Sequence, residues 1–173
     1  MLKGSELIHR LLITRDGGEQ VGKVQDLVVD KKGSQILGLL VDEKGWFSDA
    51  HIVRWSAVLS VGEDAVVIDS KTSVVKASEV PEINDVFDRG NVLTGVRVRT
   101  TDGRDLGTFE GFYLDEKSGR ILGYELSGGI GQKRRARSFL PTPGSLEVGK
   151  DVAFVSPETA DTLQDLDEVL KEN

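Results

Sequence analysis

Few side chains in this sequence have the types and spacing that chemistry requires. His9 and His51 stand far apart, and a metal site would need carboxylates at ligand spacing to join them. Asp26, Asp30, Asp42 and Glu43 lie near one another, and Asp30 has a counterpart in Asp115. Paired carboxylates could move protons or hold a cation. The simpler reading is that both Asp30 and Asp115 end a strand and accept hydrogen bonds from turn amides. A serine nucleophile needs a base and an orienting acid, and no Gly-x-Ser-x-Gly occurs. Gly128-Gly129-Ile130-Gly131 lacks the rest of a dinucleotide fingerprint, and no helical pattern follows it. There is no cysteine, which removes disulfides, thiolate metal sites and cysteine nucleophiles. No catalytic residue, metal ligand set or cofactor is therefore assigned.

Two segments are suited to recognition instead. Lys133, Arg134, Arg135 and Arg137 place four positive charges in five residues. They could meet phosphate, or pair with acids of the same chain. Trp46 and Phe47 sit in a glycine-flanked loop. They either cover a barrel end or form an exposed anchor, since Trp is enriched at interface centres.

The elements that must position these segments are written twice. Gly18–Val41 and Gly103–Leu126 match at an offset of 85, with identity at Gly18/Gly103, Gly22/Gly107, Asp30/Asp115, Ile36/Ile121, Leu37/Leu122 and Gly38/Gly123. A unit of this length is too long for a solenoid repeat, and two copies of one small domain are expected. Short apolar runs bounded by Gly and Asp predict strands near 11–14, 20–30, 35–42, 51–54 and 65–69, then 95–99, 106–115, 120–127, 136–140 and 152–155. Gly22, Gly38, Gly107 and Gly123 fall inside strands and read as bending points for a curled sheet. Residues 84–89 read as a helical turn opening the second copy. Ser156-Pro157-Glu158 reads as a helix start, with Leu163, Leu166, Val169 and Leu170 on one face. The expected layout is a first repeat over 1–78, a linker over 79–88, a second repeat over 89–155 and an amphipathic helix over 156–173. That helix packs either on the second barrel or on a partner.

Written out this way, the chain resembles the PRC-barrel family. The match runs through Leu7-Ile8, Leu11 to Thr14, Asp16 to Asp30, Ile36 to Val41 and Val53 to Ile68, and again through Asp102 to Gly107 and Ile121 to Tyr124. After Leu126 the second copy departs, with Phe139-Leu140-Pro141-Thr142-Pro143 in a looser form of the closing segment. The resemblance implies an all-β fold of two tandem small barrels plus the C-terminal helix. It also implies a docking role, as in the cytoplasmic domain of the photosynthetic reaction-centre H subunit. It carries over no catalytic residues.

Charge and hydropathy narrow the setting. Net charge is −7, and the tail from Ser156 holds six acids against one lysine. A globally acidic chain is a poor generic nucleic-acid binder. No apolar run is long enough to span a bilayer, and the N-terminus has no signal-peptide pattern, so a cytoplasmic protein is expected. The leading expectation is a non-enzymatic scaffold that docks a protein partner through the 43–49 segment, with Trp46 and Phe47, and a charged partner through the 132–137 segment, with Lys133, Arg134, Arg135 and Arg137. An RNA- or ribosome-associated factor using the basic segment is the second. Peripheral attachment to a membrane complex is the third, and would need a partner. A homodimer is compatible with each.

Overall fold

The structure, a computed structural model, describes residues 1–41, 50–87, 93–129, 137–149 and 151–172. It divides into two units, one made of Leu2–Asn91 with Asp115–Arg120, the other of Met1, Val92–Leu114 and Ile121–Asn173.

In the first unit, β1 (Leu2–Lys3) leads into a 3₁₀ turn at Gly4–Leu7. Then come β2 (Leu11–Thr14), β3 (Gln20–Val29), β4 (Ile36–Val41), β5 (His51–Arg54), β6 (Val58–Val61), β7 (Ala65–Ile68), β8 (Val74–Lys76) and helix α1 (Pro81–Phe87). The sheet runs β6-β7-β2-β3-β4-β5-β8, with β2 and β7 parallel. Alternation decides what is buried. Leu12 and Thr14 of β2 point inward, as do Val66 and Ile68 of β7, and the core adds Leu7, Val24, Leu39 and Ile52.

The second unit repeats this path. It contains β9 (Arg97–Thr100), β10 (Asp105–Leu114), β11 (Ile121–Ser127), β12 (Arg137–Pro141), β13 (Glu147–Val148), β14 (Val152–Val155), α2 (Pro157–Ala160), β15 (Gln164–Asp165) and α3 (Leu166–Glu172). The order is β13-β14-β9-β10-β11-β12-β15, with β9 and β14 parallel. Register is duplicated residue by residue. Val24 faces Val41 and Phe109 faces Leu126, while Val28 faces Gly38 and Tyr113 faces Gly123.

The irregularities are duplicated too. Register shifts fall between Val24 and Asp26 and between Phe109 and Gly111, then at Val28/Val29 and Tyr113/Leu114. Bulges bend a strand and raise its twist, which is how a short sheet curls. The strand-interior glycines have a steric reason. A Cβ at Gly38 would lie 2.7 Å from the Val53 carbonyl oxygen, and one at Gly123 would lie 2.6 Å from that of Leu140. Gly107 also holds φ at +112°, a region other residues avoid.

Two expectations need correction. The tail is not one helix: α2 ends at Ala160, Gln164 and Asp165 form β15 beside Phe139 and Ser138, and α3 then begins at Leu166. Pairing with the β12 edge wins over the helical pattern there, because that edge offers unpaired backbone groups. The helical turn expected at 84–89 is α1, which begins at Pro81. Its Ile83 and Val86 pack with Val28, Ile52, Ala77 and Val80, so it closes the first unit rather than opening the second.

Candidate functional site

Each unit lays a short segment over one end of its sheet. In the first, β8 pairs with β5 (Ile52 opposite Val75, His51 opposite Lys76), and the chain returns through a 3₁₀ turn at Ala77–Glu79 into α1. In the second, β15 pairs with β12 (Phe139 opposite Gln164, Ser138 opposite Asp165) and turns directly into α3. The two are equivalent in register. Val28, Ile52, Ala77 and Val80 of one cluster correspond to Tyr113, Phe139, Leu166 and Val169 of the other. We call each overlying segment a strap.

Beneath the straps the chemistry differs. Leu40 and Ala50 pack against the first cluster. Their register equivalents are Glu125 and Arg137, because Leu40 pairs with Ile52 and Glu125 with Phe139, each set two residues after Ala50 and Arg137. Glu125 is 3% exposed. Its Oε1 accepts a hydrogen bond from Arg137 Nη1 at 3.3 Å, and its Oε2 accepts one from the Tyr113 hydroxyl at 3.4 Å. Arg137 Nη2 reaches up to the strap and donates to Asp167 Oδ1 at 3.3 Å. The negative charge of Glu125, then the hydrogen bond to it, holds the guanidinium's pKa above its ordinary value, with a smaller contribution from Asp167. A buried carboxylate costs free energy unless it is paired and hydrogen-bonded, and Glu125 is both.

Asp165 starts the strap's helix. Its Oδ1 accepts from the Asp167 N–H at 2.9 Å and the Glu168 N–H at 3.2 Å, the N-cap arrangement. The signal was present in the sequence as Asp165-x-x-Glu168, but it lies inside a longer helical pattern that hides it.

Other polar side chains serve the turns. Asp30 Oδ1 accepts from the Ser34 and Gln35 amides at 2.7 and 3.1 Å. Asp115 Oδ1 accepts from the Lys117 and Ser118 amides at 2.9 and 2.8 Å. The Ser118 and Lys117 amides hold the Asp115 pKa below the usual carboxylate range. The strand-ending reading of these aspartates is thus the one observed. Thr14 and Thr100 form another duplicated pair, buried and each accepting a turn amide, from Glu19 at 2.9 Å and from Arg104 at 2.8 Å. An offset of 85 conceals them, because Thr14 and Thr100 are one residue further apart. Asp105 is buried beside Arg97, whose Nε donates to it at 3.0 Å, and it also accepts from the Gly107 amide. Burial pushes the Asp105 carboxyl upward, but the hydrogen bonds from Arg97 and Gly107 and the charges of Arg97 and Arg99 outweigh it. The net position is below the usual range.

Of the residues singled out for recognition, Trp46, Phe47, Lys133, Arg134 and Arg135 lie outside the described residues, as do Asp42 and Glu43. Arg137 opens β12 and is bonded to Glu125 and Asp167, the intramolecular pairing set beside phosphate binding above. His51 opens β5, and His9 adopts φ +70° while its N–H donates to the Val24 carbonyl at 2.7 Å. Among the described residues, no group of three His, Asp or Glu could hold a metal ion, and no helix is long and apolar enough to cross a membrane. A cleft of about 460 Å³ in the first unit is lined by Ile36, Arg54, Trp55, Val80 and Ile83, among others. One of about 390 Å³ in the second is lined by Arg104, Asp105, Leu106 and Leu163, among others. Neither contains a described residue that was singled out for recognition.

The family model of the PRC-barrel domain matches the chain twice, over residues 1–75 and 82–160. No curated protein matches it.

Proposed function

The chain belongs to the PRC-barrel domain family, with two tandem copies of the domain, and from that premise we propose that it is a non-catalytic scaffold of the cytoplasm that docks partner proteins through segments carried on its barrels. One observation supports this reading above the others: the two barrels share their register and bulges, while the segments outside that register have diverged. The first copy carries Gly45-Trp46-Phe47 after β4, and the second carries Lys133-Arg134-Arg135 after β11. A rigid frame held constant under changing loops is the arrangement of a recognition module. The use of Asp30, Asp115, Thr14 and Thr100 in turns agrees with it, as does the generally non-catalytic character of PRC-barrel domains.

The test is affinity purification of the tagged full chain from its native cells, with and without nuclease, beside the Trp46→Ala/Phe47→Ala variant. A protein partner that survives nuclease and is lost in the variant is the expected result. Recovery of RNA or ribosomal material that nuclease removes and the variant leaves intact would overturn it in favour of the basic segment.

A further inference from the structure

The two straps occupy equivalent places but are held differently. The first pairs three residues with its sheet edge and buries Ala77, Val80, Ile83 and Val86. The second pairs two residues and, over 164–172, buries Leu166 and Val169 alone. A polar contact also holds it, from Arg137 to Asp167, and Asp167 has a side chain 72% exposed. A segment with few buried apolar contacts and solvent-exposed hydrogen bonds opens locally at low free energy.

Beneath it lies a groove with a definite chemistry. The β12 edge at Ser138 and Phe139 offers backbone groups to an added strand. The Phe139 and Tyr113 rings, 6.1 Å apart between centroids, form an apolar floor that takes Leu166 and Val169. Arg137 is fixed at the rim by Glu125 and directs its other guanidinium nitrogen at an acid. Strand addition supplies affinity and side-chain pockets supply choice, which is a recurrent mode of peptide recognition. The resident sequence, Gln164-Asp165-Leu166-Asp167-Glu168-Val169, shows the fitting pattern: two extended residues, then apolar, two acids, apolar.

We propose that this groove is a docking site for an acidic segment of a partner protein that adds two strand residues and continues as a helix, and that residues 164–172 are its resident, displaceable occupant. The proposal rests on the reading of the chain as a protein-docking module and specifies the chemistry of one partner.

The probe is a fluorescent peptide of residues 162–173 of this chain, titrated into the full-length protein. In the wild type the tethered strap competes, so a Leu166→Ala/Val169→Ala variant should bind the peptide about tenfold more tightly. A peptide carrying Asp167→Lys should not bind. A variant that keeps its circular dichroism and melting transition but takes up no peptide overturns the proposal, and so does equal binding of the charge-reversed peptide. Should the double variant fail to fold, full-length Asp167→Lys changes only an exposed position, and its failure to bind the wild-type peptide would equally overturn the proposal. Hydrogen exchange on the wild type needs no variant. Val169–Glu172 amides should exchange about a hundredfold faster than those of β10 and β11, and strap exchange only through global unfolding would refute displacement. A concentration-dependent dimer abolished by Leu166→Ala/Val169→Ala would assign the groove to a second copy and overturn the partner assignment. Peptide binding without any recovered partner protein removes the docking-module reading and leaves the groove. Recovery through Trp46 and Phe47 without peptide binding removes the groove alone.

Discussion

The ground beneath the two straps is the same backbone built in two chemistries. In the first unit Val28, Leu40 and Ala50 give an apolar bed. In the second, Tyr113, Glu125 and Arg137 give a hydrogen-bonded ion pair at the same register positions. An apolar bed stabilises through area removed from water and does not depend on what lies above being charged. An ion pair with one buried partner roughly offsets the desolvation of that partner, so it adds little stability of its own. The first strap is therefore read as structure. The second presents a charge pattern that another chain could match.

The largest effect should come from what the two units share. Gly38→Ala and Gly123→Ala each push a Cβ into a backbone oxygen that cannot yield, and each should cost about 3 kcal/mol, at the upper end of overpacking strain. Denaturant titration measures this, and a large loss from one with none from the other would break the equivalence of the frames. The next effect should separate them. Arg137→Ala strands the buried Glu125 and should cost about 2 kcal/mol, less than a fully buried pair because Arg137 is half exposed. Glu125→Leu with Arg137→Ala, which installs the pair found in the first unit, should recover most of that loss. A double variant as unstable as the single one would show that the bed is not exchangeable between the units.

The smallest effect is in acid. Asp105 stands where the first unit has the non-titrating Gln20, by its place before the bulge opposite β9 and β2. Its folded pKa is depressed, so its contribution is present in full above the ordinary carboxylate value of 3.8 and is lost as pH falls through the lowered value. Melting temperatures taken from pH 7 downward should fall less steeply for Asp105→Asn than for wild type. Identical slopes would mean that Arg97 and Gly107 do not hold the carboxylate in solution.

Much of the frame was legible because it was duplicated. Gly22/Gly107 and Gly38/Gly123 repeat at one spacing, and each meets a steric demand of the bent sheet. Asp30 and Asp115 were legible for the same reason, since a copied turn copies its acceptor. The straps were not legible. Between Ile52 and Phe139 the spacing has grown to 87, and between Val80 and Val169 to 89, so the repeat fades where residues have been inserted between the copies' matching positions. The helical periodicity of Leu163, Leu166 and Val169 also pointed to one continuous helix, and nothing local reveals that a sheet edge waits to pair with Gln164 and Asp165.

The sequence by itself determined the repeated unit, the strand content and the absence of thiol chemistry, because identity, alternation and composition are local properties that need no partner to be read. Only the tertiary structure decided what Arg137 does. Its charge is visible in the chain, but the buried carboxylate that fixes it comes from a strand twelve residues back, and the acid that it reaches for comes from the strap thirty residues on. Electrostatic interactions depend on distance through space and on burial, and neither can be read from order along the chain.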